Sequence, residues 1–144
     1  MDTVTVVVSG TPVAKGRARI GKLFNGRPVA FTPSKTRSYE GMVKRAAELA
    51  MKGRTPFAGP VAAVLTAFRP LPKSFSRKRR EAALRDDLLP VTKPDADNYA
   101  KAALDALNTI VYRDDSQVTD LVVRKRYSEK PRLEIEVTAL RVAA

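Results

Sequence analysis

The sequence predicts a small protein of the mixed α and β class. Segments rich in β-branched and apolar residues, typical of strands, occur at residues 3–8, 61–68, 118–127 and 132–140. Apolar residues recur at helical spacing in residues 34–52 and again from Asp97–Asn98 to about residue 108. A length of 144 residues favours one domain that spans residues 1–144.

The strand segments differ in their patterns, which predict different positions in a sheet. Residues 61–68 are apolar at nearly every position, apart from Thr66, and this favours a central strand covered on both faces. Residues 132–140 alternate, which predicts a half-buried strand with one apolar face. That face comprises Leu133, Ile135, Val137 and Ala139.

Helix starts are indicated by capping residues. Ser34 can cap a helix that runs to about residue 52, and Ser76 can cap a short helix through Leu84. The first helix has an apolar face suited to the core or to a dimer interface, formed by Tyr39, Met42, Val43, Ala46, Ala47 and Ala50. The buried stripe of the helix after Asp97 comprises Ala100, Ala103, Leu104 and Leu107.

The charge balance points to a polyanionic partner. Lys and Arg number 27 against 15 Asp and Glu, which gives a formal net charge of +12. Such an excess favours nucleic acid as the partner. A solvated basic surface, or an RNA-binding protein of the ribosomal type, would carry the same balance.

Two basic segments are candidates for contact with DNA. Residues 10–33 form a loop or hairpin region with Lys15, Arg17 and Arg19, which acts either as a phosphate-binding arm or as a solvated loop. The second segment contains Lys73, Arg77, Lys78, Arg79 and Arg80. This block lies in solvent or on phosphate. Phe75 within it could stack on an unpaired base, but ordinary packing is favoured.

The residue types exclude several kinds of chemistry. The chain has no cysteine and no histidine. Disulfides, zinc sites of the usual kind and histidine general bases are therefore excluded, and any metal must be a hard ion bound by oxygen, such as magnesium or manganese. We expect no small-molecule cofactor. The absence of a leader-like N-terminus and of a long apolar run favours a soluble, cytoplasmic protein without membrane contact.

Aspartates cluster in the stretch from Lys93 to Val118, although the rest of the chain is basic. Asp95 and Asp97 would share one face of an extended segment, and Lys101 would lie one helical turn beyond Asp97. Asp114 and Asp115 could return to this helix end through tertiary folding. Three carboxylates beside an ammonium group would favour one or two divalent cations. The alternative is structural: a helix cap, surface ion pairs and a turn.

The spacing of these residues resembles the signature of the RusA family of Holliday junction resolvases. The matching stretches are Lys93-Pro94-Asp95-x-Asp97-Asn98, Lys101, Asp105-Ala106-Leu107-Asn108 and Asp114-Asp115-x-Gln117-Val118. The N-terminal Lys15-Gly16-Arg17-Ala18-Arg19 is similar to the basic motif of the family, with Ala18 where proline is common. The departures from the family pattern affect packing and a turn, not the aspartates.

The resemblance implies a small mixed α/β (α+β) fold, with one mixed sheet packed against about two main helices. It also implies a homodimer and magnesium-dependent cutting of four-way DNA junctions, with manganese able to substitute. Carried over by position, Asp95, Asp97 and Asp115 would be catalytic metal ligands, Asp114 would share that role, and Lys101 would be the essential lysine. A two-fold dimer would present two sites to equivalent strands of a junction.

Two other functions fit the same sequence. A non-catalytic DNA or RNA binder would use the aspartates only structurally. A nuclease for other branched or flapped DNA would share the chemistry and differ in substrate. Dependence of cleavage on a divalent ion distinguishes the first function from a nuclease, and comparison of substrates distinguishes the second from a junction resolvase.

Overall fold

The fold combines one mixed β-sheet with three helices, in a computed structural model that describes residues 2–16, 19–22, 26–31 and 34–141, with backbone only for residues 19–22 and 29–31. The strands are β1 (Thr3–Ser9), β2 (Arg19–Lys22), β3 (Pro28–Phe31), β4 (Val61–Pro70), β5 (Val118–Ser128) and β6 (Arg132–Ala139). The helices are α1 (Ser34–Met51), α2 (Arg77–Leu84) and α3 (Ala96–Leu107), followed by a short 3-10 helix (Asp115–Gln117). The mixed α+β class predicted from the sequence is confirmed.

The main sheet has the strand order β1-β6-β4-β5, and β2 and β3 form a separate antiparallel hairpin. β6 is antiparallel to both of its neighbours, β1 and β4. β4 and β5 are parallel, with Leu65 opposite Val123. Parallel neighbours need a long crossover connection, and here that crossover contains α2, α3 and all of the clustered aspartates.

The core lies between the sheet and helices α1 and α3. β1 contributes Val4, Val6 and Val8, and β6 contributes Leu133, Ile135 and Val137, because alternate residues of each strand face the helices. The side chains buried in α1 are those of Thr36, Tyr39, Val43, Ala47 and Met51. Met42 stays 41% exposed, so the buried face of α1 is narrower than its apolar pattern predicts.

The prediction for residues 61–68 is half right. β4 does lie inside the sheet, between β6 and β5. The predicted coverage of both faces is wrong, because only one face is buried in full. That face comprises Val61, Ala63, Leu65 and Ala67. The other face is half-buried, because α1 and α3 pack on the side of Leu65.

The predicted starts of the helices are largely confirmed. α1 begins at Ser34. Ser76 caps α2, and its hydroxyl accepts a hydrogen bond from the backbone N–H of Arg79 at 3.2 Å. α3 starts at Ala96, earlier than predicted, so Asp95 and not Asp97 is its N-cap residue. In the described part of the chain, none of the helices has the length and apolar character needed to cross a lipid bilayer.

The core position of β4 can be tested with a matched pair of leucine truncations. Leu65 is fully buried and Leu49 is 77% exposed. Leu65→Ala is expected to lower the free energy of unfolding by about 2–5 kcal/mol, because it removes buried apolar surface and leaves a cavity. Leu49→Ala is expected to change it by less than about 0.5 kcal/mol. Urea denaturation measures both, and equal effects would contradict this description of the core.

Candidate active site

The N-terminal end of α3 is held against the ends of two strands by two cations. Arg69 of β4 donates to the backbone carbonyls of Thr92 at 3.0 Å and Lys93 at 3.1 Å. Lys125 of β5 donates to the carbonyls of Thr92 at 2.9 Å and Pro94 at 3.1 Å. These four contacts fix residues 92–94 on the sheet. The position of Asp95, which follows them directly, is fixed as a result.

Asp95 and Asp97 flank the start of α3 in different backbone conformations. Asp95 is extended, with φ −73° and ψ 153°, whereas Asp97 belongs to the first helical turn. The prediction that both share a face of one extended segment is therefore wrong, because the helix begins between them. The Asp95 carboxylate lies 3.8 Å from the Lys93 ammonium, in an exposed pair.

Just before β5, Gln117 fixes the backbone around Asp114 and Asp115. Its Oε1 accepts hydrogen bonds from the N–H groups of Arg113 at 2.8 Å and Asp114 at 3.1 Å. Its Nε2 donates to the carbonyls of Phe57 at 2.8 Å and Gly59 at 2.9 Å. The amide of Gln117 thus joins the 3-10 helix to the segment before β4.

Tyr112 anchors the same region from inside the core. Its side chain is fully buried, and its hydroxyl donates a 2.7 Å hydrogen bond to the carbonyl of Leu104 in α3. Burial raises the pKa of Tyr112 far above its usual range, and the negative charges of Asp115 and Asp105 raise it further. Tyr112 therefore remains a neutral donor that links the second half of α3 to the aspartates.

Asp115 contacts Asp105, which lies near the end of α3. Partial burial raises the pKa of Asp115, and the hydrogen bond to Asp105 and the charge of Asp114 raise it further, whereas Lys101 opposes this shift. Hydrogen bonds from Ser116 lower the pKa of the exposed Asp114. The carboxyl groups of Asp115 and Asp105 are therefore in contact, and the charge of Asp114 lies close to Asp115.

Two lysines compensate the negative charge at Asp105. The Lys101 ammonium lies 3.8 Å and the Lys15 ammonium 3.5 Å from its carboxylate oxygens. Lys15 also lies 2.8 Å from Glu40 of α1, and this hydrogen bond is the largest cause of the raised pKa of Lys15. The Lys101 side chain remains 64% exposed, so it can also reach an external phosphate.

The structure brings together some of the site residues predicted from the sequence. Lys101, Asp114 and Asp115 lie in one neighbourhood, as expected. Asp97 is eight residues before Asp105 on α3, which corresponds to a rise of about 12 Å along the helix axis. Asp115 therefore packs near the C-terminal end of α3 and not at its start. Within the residues that the structure describes, no three acidic side chains form a ready-made metal cluster.

Asp105 was not assigned a role from the sequence. Its spacing from Lys101 predicts a helix surface pair, and that pair is present. Its contacts with Asp115 and Lys15 come from other parts of the chain and leave no local signal in the sequence. Its place in the motif, four residues after Lys101, was the only indication.

The donor atoms at this location suit magnesium. They are carboxylate oxygens, and the chain has no histidine or cysteine to supply softer ligands. Magnesium retains several water ligands and is usually bound by one or two carboxylates together with substrate phosphates. The crowded pair of Asp105 and Asp115 meets that requirement. Burial is the main cause of the raised pKa of Asp115, and a divalent cation would offset the charge repulsion that raises it further.

The predicted DNA-binding residues fall into three groups. Lys15 is occupied by carboxylates, as described above. Arg17 and the side chain of Arg19 lie outside the described residues. The rest form an exposed basic surface at and before α2, comprising Lys73, Arg77, Lys78, Arg79 and Arg80.

Within the described part of the chain, the exposed basic surface near α2 makes only weak ion pairs. Arg77 is 3.4 Å from Glu81, and Arg80 is 3.5 Å from Glu129. Arg79 lies over the ring of Phe75, with its guanidinium carbon 4.4 Å from the ring centre. Phe75 itself packs edge-to-face against Tyr127 with 5.5 Å between ring centres, in line with the ordinary packing that the sequence favours.

The amide contacts of Gln117 can be tested by truncation. Gln117→Ala would leave two backbone N–H groups and two carbonyls without this partner. We expect it to lower the free energy of unfolding by about 1–3 kcal/mol. Chemical denaturation measures the change. Thr119→Ala, at a nearby exposed position, serves as the control and is expected to have little effect. An equal, small effect of both changes would contradict the structural role of Gln117.

Comparison with known proteins also points to the part of the chain that contains the aspartates. The chain is 43% identical over 139 residues to a protein of Bacillus subtilis (strain 168) described as uncharacterized protein YqaN, covering 95% of this chain and 96% of that protein. Residues 9–138 match the family described as endodeoxyribonuclease RusA. That match includes both ends of the crossover and every aspartate discussed above. The chain therefore belongs to the RusA family of endodeoxyribonucleases.

Proposed function

We propose that this protein is a magnesium-dependent endonuclease that resolves four-way (Holliday) DNA junctions. The observation that carries the proposal is the neighbourhood of Asp115, Asp105 and Lys101, within a chain that matches the RusA family over residues 9–138. A polyanion is the partner that the net charge of +12 favours. Carboxylates in an otherwise basic chain suit a metal ion bound between protein and phosphate.

The residues that would hold magnesium, or manganese in its place, are Asp115 with Asp95, Asp97 and Asp114. Asp105 is added to these candidate ligands, because it contacts Asp115 in the crowded carboxylate pair described above and pairs with two lysines. A bound divalent ion would supply Lewis-acid stabilisation of the phosphodiester and a more acidic water. Lys101 would place a positive charge against the phosphate, since its ammonium is largely exposed.

The exposed basic surface near α2 would hold the DNA arms. Among the residues that the structure describes, its cations pair with carboxylates weakly or not at all, so phosphates can replace those contacts at little cost. Binding through such contacts weakens with salt, since counterions are released from the DNA. This property is shared by any nucleic-acid binder and does not separate resolution from simple binding.

The proposal includes a homodimer. A four-way junction has approximate two-fold symmetry, so two identical subunits would place one site on each of two equivalent strands. Paired hydrolysis by these sites would release two nicked duplexes. Nicks on both strands within one binding event would support the dimer, and single nicks that never pair would count against it.

Substitution of the aspartates tests the metal-dependent chemistry. Asp115→Asn and Asp97→Asn are each expected to reduce junction cleavage by about a hundredfold or more, because each removes a ligand charge while keeping the side-chain shape. Junction binding should persist or improve, since a negative charge is lost. Asp120→Asn is the control, because Asp120 is exposed at the start of β5 and makes no ion pair with the described residues.

The measurement is cleavage of a synthetic four-way junction with magnesium or with a chelator, beside duplex and flap substrates. We expect wild type and Asp120→Asn to cleave the junction with magnesium and not with the chelator. Binding without cleavage in either magnesium or manganese would favour the non-catalytic binder. Preference for the flap over the junction would favour the nuclease for other branched DNA.

The role of Lys101 has a separate test. Lys101→Ala is expected to lower cleavage strongly and to leave thermal stability nearly unchanged, because the side chain is exposed and its ion pair with Asp105 contributes about 0.2–0.5 kcal/mol. Lys44→Ala, at an exposed position of α1, is the matched control. Full activity of Lys101→Ala would reduce Lys101 to a surface ion pair.

A further inference from the structure

A groove of about 880 Å³ opens beside Asp95, on the side of α3 where the crossover enters. One wall is the segment 11–16 with the start of α1, and the other is the loop 92–95. The lining also includes Pro70 at the end of β4, Pro72 after it and Tyr127 near the end of β5, and we call these three residues the floor. Of the site residues named above, Lys15 and Asp95 belong to its lining.

The walls of the groove contain cations that keep their charge. Lys35 is exposed and makes no ion pair with the described residues. Arg69 donates to backbone carbonyls and has no carboxylate partner in the described structure. Lys93 is 88% exposed, and its 3.8 Å contact with Asp95 is an exposed pair of the weakest kind. The groove therefore favours an anionic ligand.

The floor of the groove is apolar and contains a ring held in a fixed orientation. Tyr127 is half-buried, and Phe75 contacts it edge-to-face at 5.5 Å with an angle of 73° between the rings. Arg79 covers Phe75 in turn, at 4.4 Å. An aromatic ring fixed in this way loses little side-chain entropy when a flat ligand packs on it.

Cations above an aromatic floor suit one class of ligand, an unpaired nucleotide. Its phosphates require positive charge, and its base presents a flat face that stacks on an aromatic side chain. Bases inside a duplex are stacked on each other and cannot use such a surface. A strand opened at the centre of a branched DNA can, and the groove lies directly beside Asp95.

We propose that this groove binds one unpaired nucleotide of the strand that is cut, with its base on Tyr127 and its phosphates against Lys35 and Arg69. Contact with that base determines which sequences at the branch point are cut. The proposal rests on the proposed function for its link to cleavage. Binding of single-stranded DNA in the groove can be measured without cleavage.

The first experiment measures binding of a dye-labelled thymidine pentanucleotide by fluorescence anisotropy, with a chelator present. Tyr127→Leu, which keeps apolar volume and removes the ring, is expected to weaken binding about fivefold or more, and Tyr127→Phe is expected to bind like wild type. Lys35→Ala should weaken binding, whereas Lys44→Ala on the same helix should not. Wild-type binding by both Tyr127→Leu and Lys35→Ala would overturn the proposal.

The second experiment maps the cuts on a four-way junction whose branch point can migrate through many sequences. Wild type should concentrate its cuts at a few sequences, and Tyr127→Leu should spread them more evenly. An unchanged distribution for Tyr127→Leu would overturn the role in sequence preference, even if binding of the pentanucleotide is weaker.

The failures of the two proposals are distinguishable. If wild type cuts the junction and Asp115→Asn does not, but neither groove variant differs from wild type in binding or cut positions, the proposed function stands and the groove assignment fails. If wild type cuts no branched DNA, the proposed function fails, and the pentanucleotide experiment alone decides whether the groove binds an unpaired nucleotide.

Discussion

The parallel pairing of β4 with β5 is the constraint on which the rest of the structure depends. Two parallel neighbours cannot be joined by a tight turn, so the chain between them must return along the sheet. That return contains α2, α3 and the 3-10 helix, and with them the clustered aspartates. The acidic residues therefore all lie on the crossover that the sheet requires, and α3 packs on the sheet beside α1.

The crossover is fixed at two places through backbone carbonyls. Arg69 and Lys125 bind the carbonyls before α3, and the amide of Gln117 binds those of Phe57 and Gly59. Cations bonded to carbonyls retain their net charge, whereas cations bonded to carboxylates do not. The contacts of Arg69 and Lys125 that hold the loop therefore also leave positive charge beside Asp95.

Local pattern was enough to predict most of the elements, because strand and helix periods repeat within a few residues. Local pattern did not predict the features that depend on contacts between residues far apart in the sequence. The apolar run of β4 does not reveal that only one of its faces meets the helices. The start of α3 at Ala96 placed Asp97 inside the helix, which changed its relation to Asp95. Gln117 contacts a carbonyl 60 positions away, and Asp105 acquires its role only when Asp115 and Lys15 pack beside it.

The N-terminal basic arm is closed at its base. The N–H of Gly16 donates to the buried hydroxyl of Thr36 at 3.2 Å, while the N–H of Lys15 donates to the carbonyl of Asn98 at 2.9 Å. Gly16 and the start of α1 are thus in direct contact, so the β2–β3 hairpin lies between two points of the chain that are held together. The length of a segment tied at both ends can change at little cost in stability, because the free energy of closing a loop changes slowly with its length. Natural variation or engineering could lengthen, shorten or recharge it, altering the reach of the enzyme over DNA while leaving the aspartates undisturbed.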